Sequence, residues 1–168
     1  MFYVQWRHGT ENYDEAKALR YRVFVEEQGY SPEIEVDNWD IMAWHCLIMV
    51  EGKTVATGRV FTDGEVFTIG RLCVDPDYRG QGFGDAAFRL LLERALQGGA
   101  KELHLSAQSY IIPLYEKFGF VAVGEEYFEE DVPRPHRAMV AKAEDIVFPR
   151  DCESCAMADS CDATKQED

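Results

Sequence analysis

Positive charge is scarce in this chain: 17 lysines and arginines stand against 31 aspartates and glutamates, a net charge of −14 over 168 residues. Phosphate backbones bind basic patches, so nucleic acid is not an expected partner. A cationic small molecule or a basic peptide suits such a field better. Long apolar runs are missing too; nothing approaches the roughly eighteen residues of a membrane span, and no membrane partner is expected. The opening MFYVQWRHGT has no signal-peptide apolar stretch, which makes the cytoplasm the expected location. The five cysteines are an odd number, unsuited to a complete disulfide framework. Cys46 and Cys73 fall in apolar, strand-like stretches and read as small core residues. Also lacking is the Gly-Lys-Ser/Thr ending of a nucleotide-hydrolysing loop. The third glycine of a dinucleotide fingerprint is missing as well, its place being taken by Asp85.

What is present centres on residues 66–92. Val66 to Val74 carries the β-branched and aromatic residues of a buried strand, and Phe83, Ala87, Leu90 and Leu91 recur at helical spacing. Between them lies Arg79-Gly80-Gln81-Gly82-Phe83-Gly84. Glycine is costly in an ordered loop unless positive φ or close backbone approach requires it. The first amides of a helix lack intrahelical partners and sit at the positive end of its dipole, so an anion is the natural occupant. Arg79 adds a charge at the mouth. The plainer reading is a glycine-rich turn with no ligand.

In chain order, Phe2 to Arg7 alternates as a first strand. Glu11 to Gln28 reads as one helix, with Thr10 as its cap, an apolar stripe of Tyr13, Ala16, Leu19, Val23 and Phe24, and Gly29 as its stop. Arg20 and Arg22 are expected to be solvated charges on it. Residues 29–40 are polar and broken by Pro32, hence a loop. Strands Ala43 to Val50 and Thr54 to Phe61 flank the turn Glu51-Gly52-Lys53, and a second turn at 62–65 leads into the central strand. A helix from Phe83 to Gln97 connects to a strand at Lys101 to Ala107, which implies a parallel crossover. A short helix from about Tyr110 to Phe118, then strands Phe120 to Val123 and Arg137 to Ala143, complete the order. The expected class is α/β (α+β): a mixed, mostly antiparallel central sheet flanked by helices.

Arg79-x-x-Gly82-x-Gly84 after Leu72-Cys73-Val74 resembles the acetyl-CoA loop of the GCN5-related N-acetyltransferase (GNAT) superfamily. Pro113 to Phe120, PLYEKFGF, resembles the late helix and strand of the same family. The likeness covers roughly residues 1–143. Within it, Arg20 to Gln28, Gln108 and Phe128-Glu129-Glu130-Asp131 are similar to the ElaA-like branch. The resemblance implies the acyl-CoA N-acyltransferase fold, in which two central strands part to admit the pantetheine arm. It implies acetyl-CoA as cosubstrate, bound by backbone at Arg79, Gly80, Gln81, Gly82, Phe83 and Gly84. Leu72, Cys73 and Val74 would take the pantetheine as an added strand, and Gln108 stands where the family often has Asn.

Acetyl transfer to an amine needs a fixed donor, a neutral amine, a polarised carbonyl and a proton for the leaving thiolate. The Val74 amide is the candidate to polarise the carbonyl and Tyr115 the candidate proton donor; the alternative for Tyr115 is packing against Phe118 and Phe120. Glu27 and His45 are the leading base candidates, with Glu33, Asp37, Glu129 and His136 also chemically able. Most of these read equally well as surface or packing residues, and a lone strand histidine such as His45 is more often packed. The acceptor wall would include Phe24, Glu27 and Gln28.

Composition changes at 149, setting off an acidic tail over 149–168 with six acids and two bases; the resemblance makes 1–148 an acetyltransferase domain. Cys152-x-x-Cys155 with Cys161 in this tail fits a soft-metal clip, a reversible disulfide or an unstructured segment; the transfer chemistry itself needs no metal. The expected function is N-acetylation of a primary amine on a small molecule or peptide. The rival is a non-catalytic acyl-CoA-binding or redox-responsive sensor. A homodimer is compatible with either.

Overall fold

The computed structural model describes residues 1–129 and 132–150. Seven strands form one sheet: β1 (Phe2–His8), β2 (Trp44–Val50), β3 (Lys53–Thr62), β4 (Phe67–Val74), β5 (Glu102–Gln108), β6 (Val121–Tyr127) and β7 (His136–Lys142). Their spatial order is β1-β2-β3-β4-β5-β7-β6. Every neighbouring pair is antiparallel except β4 and β5. The helix expected between these two strands, α3 (Phe83–Gln97), supplies the crossover.

Both faces of the sheet are covered, which explains why β2 is apolar without alternation. Cys46 and Ile48 join the core beneath α3, while Leu47 and Met49 meet Ala16 on the opposite face. Burial pushes the Cys46 thiol up to about 12, so it stays protonated. On that second face the chain runs through α1 (Asp14–Arg20) directly into a π-helical segment, Tyr21–Glu27. The expected single helix is thus two geometries in series. It starts at Asp14, with Tyr13 rather than Thr10 at the cap position and no side-chain cap hydrogen bond.

Residues 29–42 are not a featureless loop. They contain α2 (Pro32–Glu35) and a 3₁₀ turn, Asn38–Ile41, whose Asp37 and Asp40 form a reciprocal capping box. The order comes from buried ions, among them Arg20, expected as a solvated charge. Arg20, 1% exposed, lies at helical spacing from Ala16 and Phe24 and points inward. It donates to Glu35 Oε1 at 2.5 Å and to Asp40 Oδ1 at 2.8 Å. Arg59, on β3, grips both Asp37 oxygens at 2.6 and 2.7 Å and Asp40 Oδ1 at 2.7 Å.

A β-bulge interrupts β4. Arg59 faces Gly70 but Thr57 faces Cys73, so β4 carries one extra residue there, and Arg71 takes a left-handed φ of 53°. The Arg71 guanidinium donates to the carbonyls of Ile34 (2.8 Å) and Glu35 (3.0 Å), which ties α2 to the bulge. Gly58 lies opposite; a Cβ there would come within 2.6 Å of Leu91 Cδ1. After α3, a 3₁₀ turn and α4 (Ile112–Glu116) carry Tyr115 against the Phe88 ring, with centroids 4.8 Å apart.

Candidate active site

The parallel pair β4 and β5 is joined only at Phe67–Leu103 and Thr68–His104. Beyond these residues β4 stays paired with β3 as far as Val74, and β5 stays paired with β7 as far as Gln108. Each strand keeps its outer partner, so the sheet opens between them as a V. The Asp75 amide donates to the Val55 carbonyl at 2.8 Å, which makes the next pair, Ala56–Val74, a non-hydrogen-bonded one. The Val74 amide and carbonyl therefore point into the V.

At the wide end stands the N-terminus of α3. Gly82 caps it with φ 80°, and Gly80 turns with φ 75°. A Cβ on Gly84 would sit 3.2 Å from Val74 Cγ2. The helix ladder begins with Ala86 donating to Gly82 at 3.0 Å, so the amides of Phe83, Gly84 and Asp85 precede the first intrahelical bond. The Asp85 carboxylate is turned onto Arg89 Nε, 2.5 Å away, which offsets its negative charge beside those amides. The Gln81 side chain is exposed, whereas the Phe83 ring anchors the turn edge-on to Phe2 and Tyr78. Arg79 donates to the Val74 carbonyl (3.3 Å) and pairs with both oxygens of Glu27 (2.9 and 3.0 Å).

Also at the wide end of the V, the chain leaves the π-helical segment at Gly29, with φ 79°, and folds Tyr30 back onto Phe24, ring centroids 5.5 Å apart. Tyr30 packs against the Leu19, Val23, Phe24 and Cys73 cluster. Its hydroxyl reaches the other side, accepting from Gln108 Nε2 at 2.7 Å and lying 3.4 Å from His136 Nε2. Gln108 also donates to Gln28 Oε1 at 2.8 Å, and its own Oε1 is buried with no partner among the described residues. Burial lifts the Cys73 thiol well above its ordinary range, so it remains a protonated wall of this space.

Of the residues expected at the site, Leu72, Cys73, Val74, the 79–84 turn and Gln108 are brought around one opening. Tyr115 is nearly sealed at 8% exposure, and burial, reinforced by Tyr110, raises its phenol above the ordinary value. Glu27 stands at the mouth but is engaged by Arg79. His45 sits elsewhere: it is 1% exposed, with its ring tilted against Tyr13 at 5.0 Å and its Nε2 within 3.3 Å of the Asp40 carbonyl. Burial lowers its pKa, so it is a neutral packing group without a path to solvent. Asp37 is committed to Arg59, while Glu33 and Glu129 are exposed. Sequence reasoning missed Tyr30, a single aromatic in a polar stretch with no periodicity to mark it.

Among the described residues, no group of three or more His, Cys, Asp or Glu is arranged to hold a metal, and no helix is long and apolar enough to cross a membrane. Cys152, Cys155, Cys161, Glu130 and Asp131 lie outside those residues.

A family model described as an acetyltransferase (GNAT) domain matches residues 11–139. The uncharacterized N-acetyltransferase YjcF of Bacillus subtilis is 31% identical over 130 residues, which cover 77% of this chain and 92% of YjcF. Among solved structures, Escherichia coli ElaA superposes with a TM-score of 0.74 at 29% identity, covering 84% of this chain and all of ElaA. An acyl-CoA N-acyltransferase from Pseudomonas aeruginosa gives 0.73 at 28%, covering 84% of this chain and 99% of its own. An open V in the sheet, a glycine turn at its mouth and these matches converge: the chain belongs to the GNAT acetyltransferase family, whose donors are acyl-CoA thioesters.

Proposed function

We propose that the protein transfers an acetyl group from acetyl-CoA to a primary amine of a small molecule or peptide by direct attack. The observation that carries this reading is the parting of β4 and β5 directly beside the α3 N-terminus. The free amides at residues 83–85, with Gly80 and Gly82 in positive φ, suit a diphosphate. The unpaired edge of β4 suits the amides of a pantetheine arm. The orphaned Gln108 Oε1 is a buried acceptor that an N–H of the pantetheine arm would satisfy. The bound thioester supplies an activated acetyl carbonyl; the rest is the work of the chain.

Val74 N–H faces the V and can hydrogen-bond the carbonyl oxygen as charge builds on it. Tyr115 is the candidate donor to the departing thiolate. Its raised pKa keeps it protonated throughout neutral pH, and the same desolvation makes a thiolate a strong proton acceptor there. Arg79 leaves Glu27 for the diphosphate, which frees a carboxylate at the mouth to attract a cationic amine. The overall charge of −14 favours such acceptors.

The test is calorimetry with coenzyme A followed by a thiol-release assay on acetyl-CoA with a panel of amines and basic peptides. Heat on binding and amine-dependent thiol release are expected. No heat overturns the reading; heat without release across the panel makes the protein a binding module instead.

A further inference from the structure

The acceptor side of the V contains a hydrogen-bond chain whose direction is fixed at both ends. His136 Nδ1 lies 2.8 Å from the Arg134 carbonyl, which can only accept, so Nδ1 carries the proton and Nε2 presents a lone pair. Gln108 Nε2 donates to the Tyr30 oxygen at 2.7 Å, which leaves the Tyr30 proton to point at His136 Nε2, 3.4 Å away. His136 is buried at the start of β7, directly across from Gln108 at the end of β5. Tyr30 meanwhile packs against the Cys73 cluster of the opposite strand. Its hydroxyl therefore hangs across the opening through which an acceptor must approach.

We propose that Tyr30 and His136 form the proton relay that deprotonates the acceptor nitrogen, Tyr30 touching the amine and His136 acting through it. The inference rests on the acetyltransferase reading above. As the neutral amine attacks, a C–N bond forms and the C–S bond breaks. The nitrogen's surplus proton passes to the Tyr30 oxygen while the Tyr30 proton passes to His136 Nε2, and the thiolate takes a proton from Tyr115. His136 then returns one proton to solvent and Tyr115 recovers one, so the sum is amide plus free thiol. Burial raises the Tyr30 phenol, opposed by the Gln108 hydrogen bond, which suits a group that passes a proton rather than losing one. The charges acting on it are Arg134, Glu129 and Arg71; Tyr127, with its ring 6.1 Å from His136, closes the far side.

The test follows Tyr30→Phe and His136→Gln in the full chain. Both should lower kcat by about 10²-fold with the coenzyme A dissociation constant unchanged. The wild-type kcat profile should fall on its acid side at a pH that stays fixed when one amine is exchanged for a less basic one, and His136→Gln should abolish that limb. A merely structural role would lower Tm and leave the limb in place. Nitrogen-15 spectra of the histidine rings, which need no turnover, should show His136 as the Nδ1–H tautomer; an Nε2–H tautomer overturns the relay. If the wild type turns over and His136→Gln keeps its acid limb, the relay alone fails. If the wild type binds coenzyme A and acetylates no amine, the acetyltransferase reading falls and takes the relay with it.

Discussion

The two sides of the V are built from different material. The proposed donor side is main chain: amides at the start of α3, glycines 80 and 82 in positive φ and the bare edge of β4. The proposed acceptor side is side chain: Tyr30, Gln108 and His136, with Arg20, Arg59 and Arg71 holding the 29–42 segment behind them. A backbone site tolerates any residue that preserves the conformation. A side-chain site depends on each atom's partner, so the two sides should fail in different ways.

The largest expected effect is on the acceptor side. Arg20→Met leaves buried Glu35 with only the more distant Arg71 (3.7 Å) and Asp40 with Arg59 alone, and should cost about 3–5 kcal/mol, read as a fall in the urea midpoint. The same network should show in acid. Burial alone would raise Asp40, but Arg20 and Arg59 overcome it and hold the carboxyl at about 2, below its unfolded 3.8. Its stabilisation is thus complete above about pH 4 and is lost as pH falls towards 2, a loss that pH-dependent unfolding should record and Arg20→Met should blunt.

Next, Tyr115→Phe should lower kcat by about 10²-fold while the coenzyme A dissociation constant holds, since the phenol is proposed to act only as the thiolate departs. Unchanged turnover would remove Tyr115 from the chemistry. On the donor side, Gly82→Ala must place a Cβ at φ 80°. A strain of about 1–2 kcal/mol should appear as roughly tenfold weaker coenzyme A binding, with acceptor-side stability untouched. The smallest effect belongs to Glu27→Gln, which frees Arg79 from a half-exposed pair worth about 1 kcal/mol or less. Coenzyme A affinity should rise up to about fivefold by calorimetry at low salt and the gain should shrink at high salt.

This contrast also explains what was legible from residues alone. The backbone over 66–92 is readable because glycine spacing and hydrophobic period report conformation directly, and its strand, turn and helix lie within one residue of where they are expected. The splay of β4 from β5 came from family likeness, because no residue type marks where pairing stops. Arg20 was placed in solvent although its spacing from Ala16 and Phe24 put it on the apolar stripe; its partner Glu35 lies fifteen residues away, beyond any local pattern. The π-helical stretch was invisible for a similar reason, since one extra residue per turn barely disturbs a short apolar stripe. Tyr30 gains its meaning only from Gln108 and His136, which are remote in the chain.

The bulge at Arg71 also preserves which way the end of β4 faces. Ile69 lies in the core under α3, and simple two-residue alternation would send residues 71 and 73 there as well. Because one residue is absorbed at 71, Leu72 and Val74 take that face and Cys73 turns to the Tyr30 side. Deleting Arg71 would remove the bulge and leave both faces as they are, because Ile69, Leu72 and Val74 would then alternate inward and Gly70 and Cys73 outward. What would go is the guanidinium that holds the Ile34 and Glu35 carbonyls, so the bulge serves to anchor α2 without disturbing the strand's two faces.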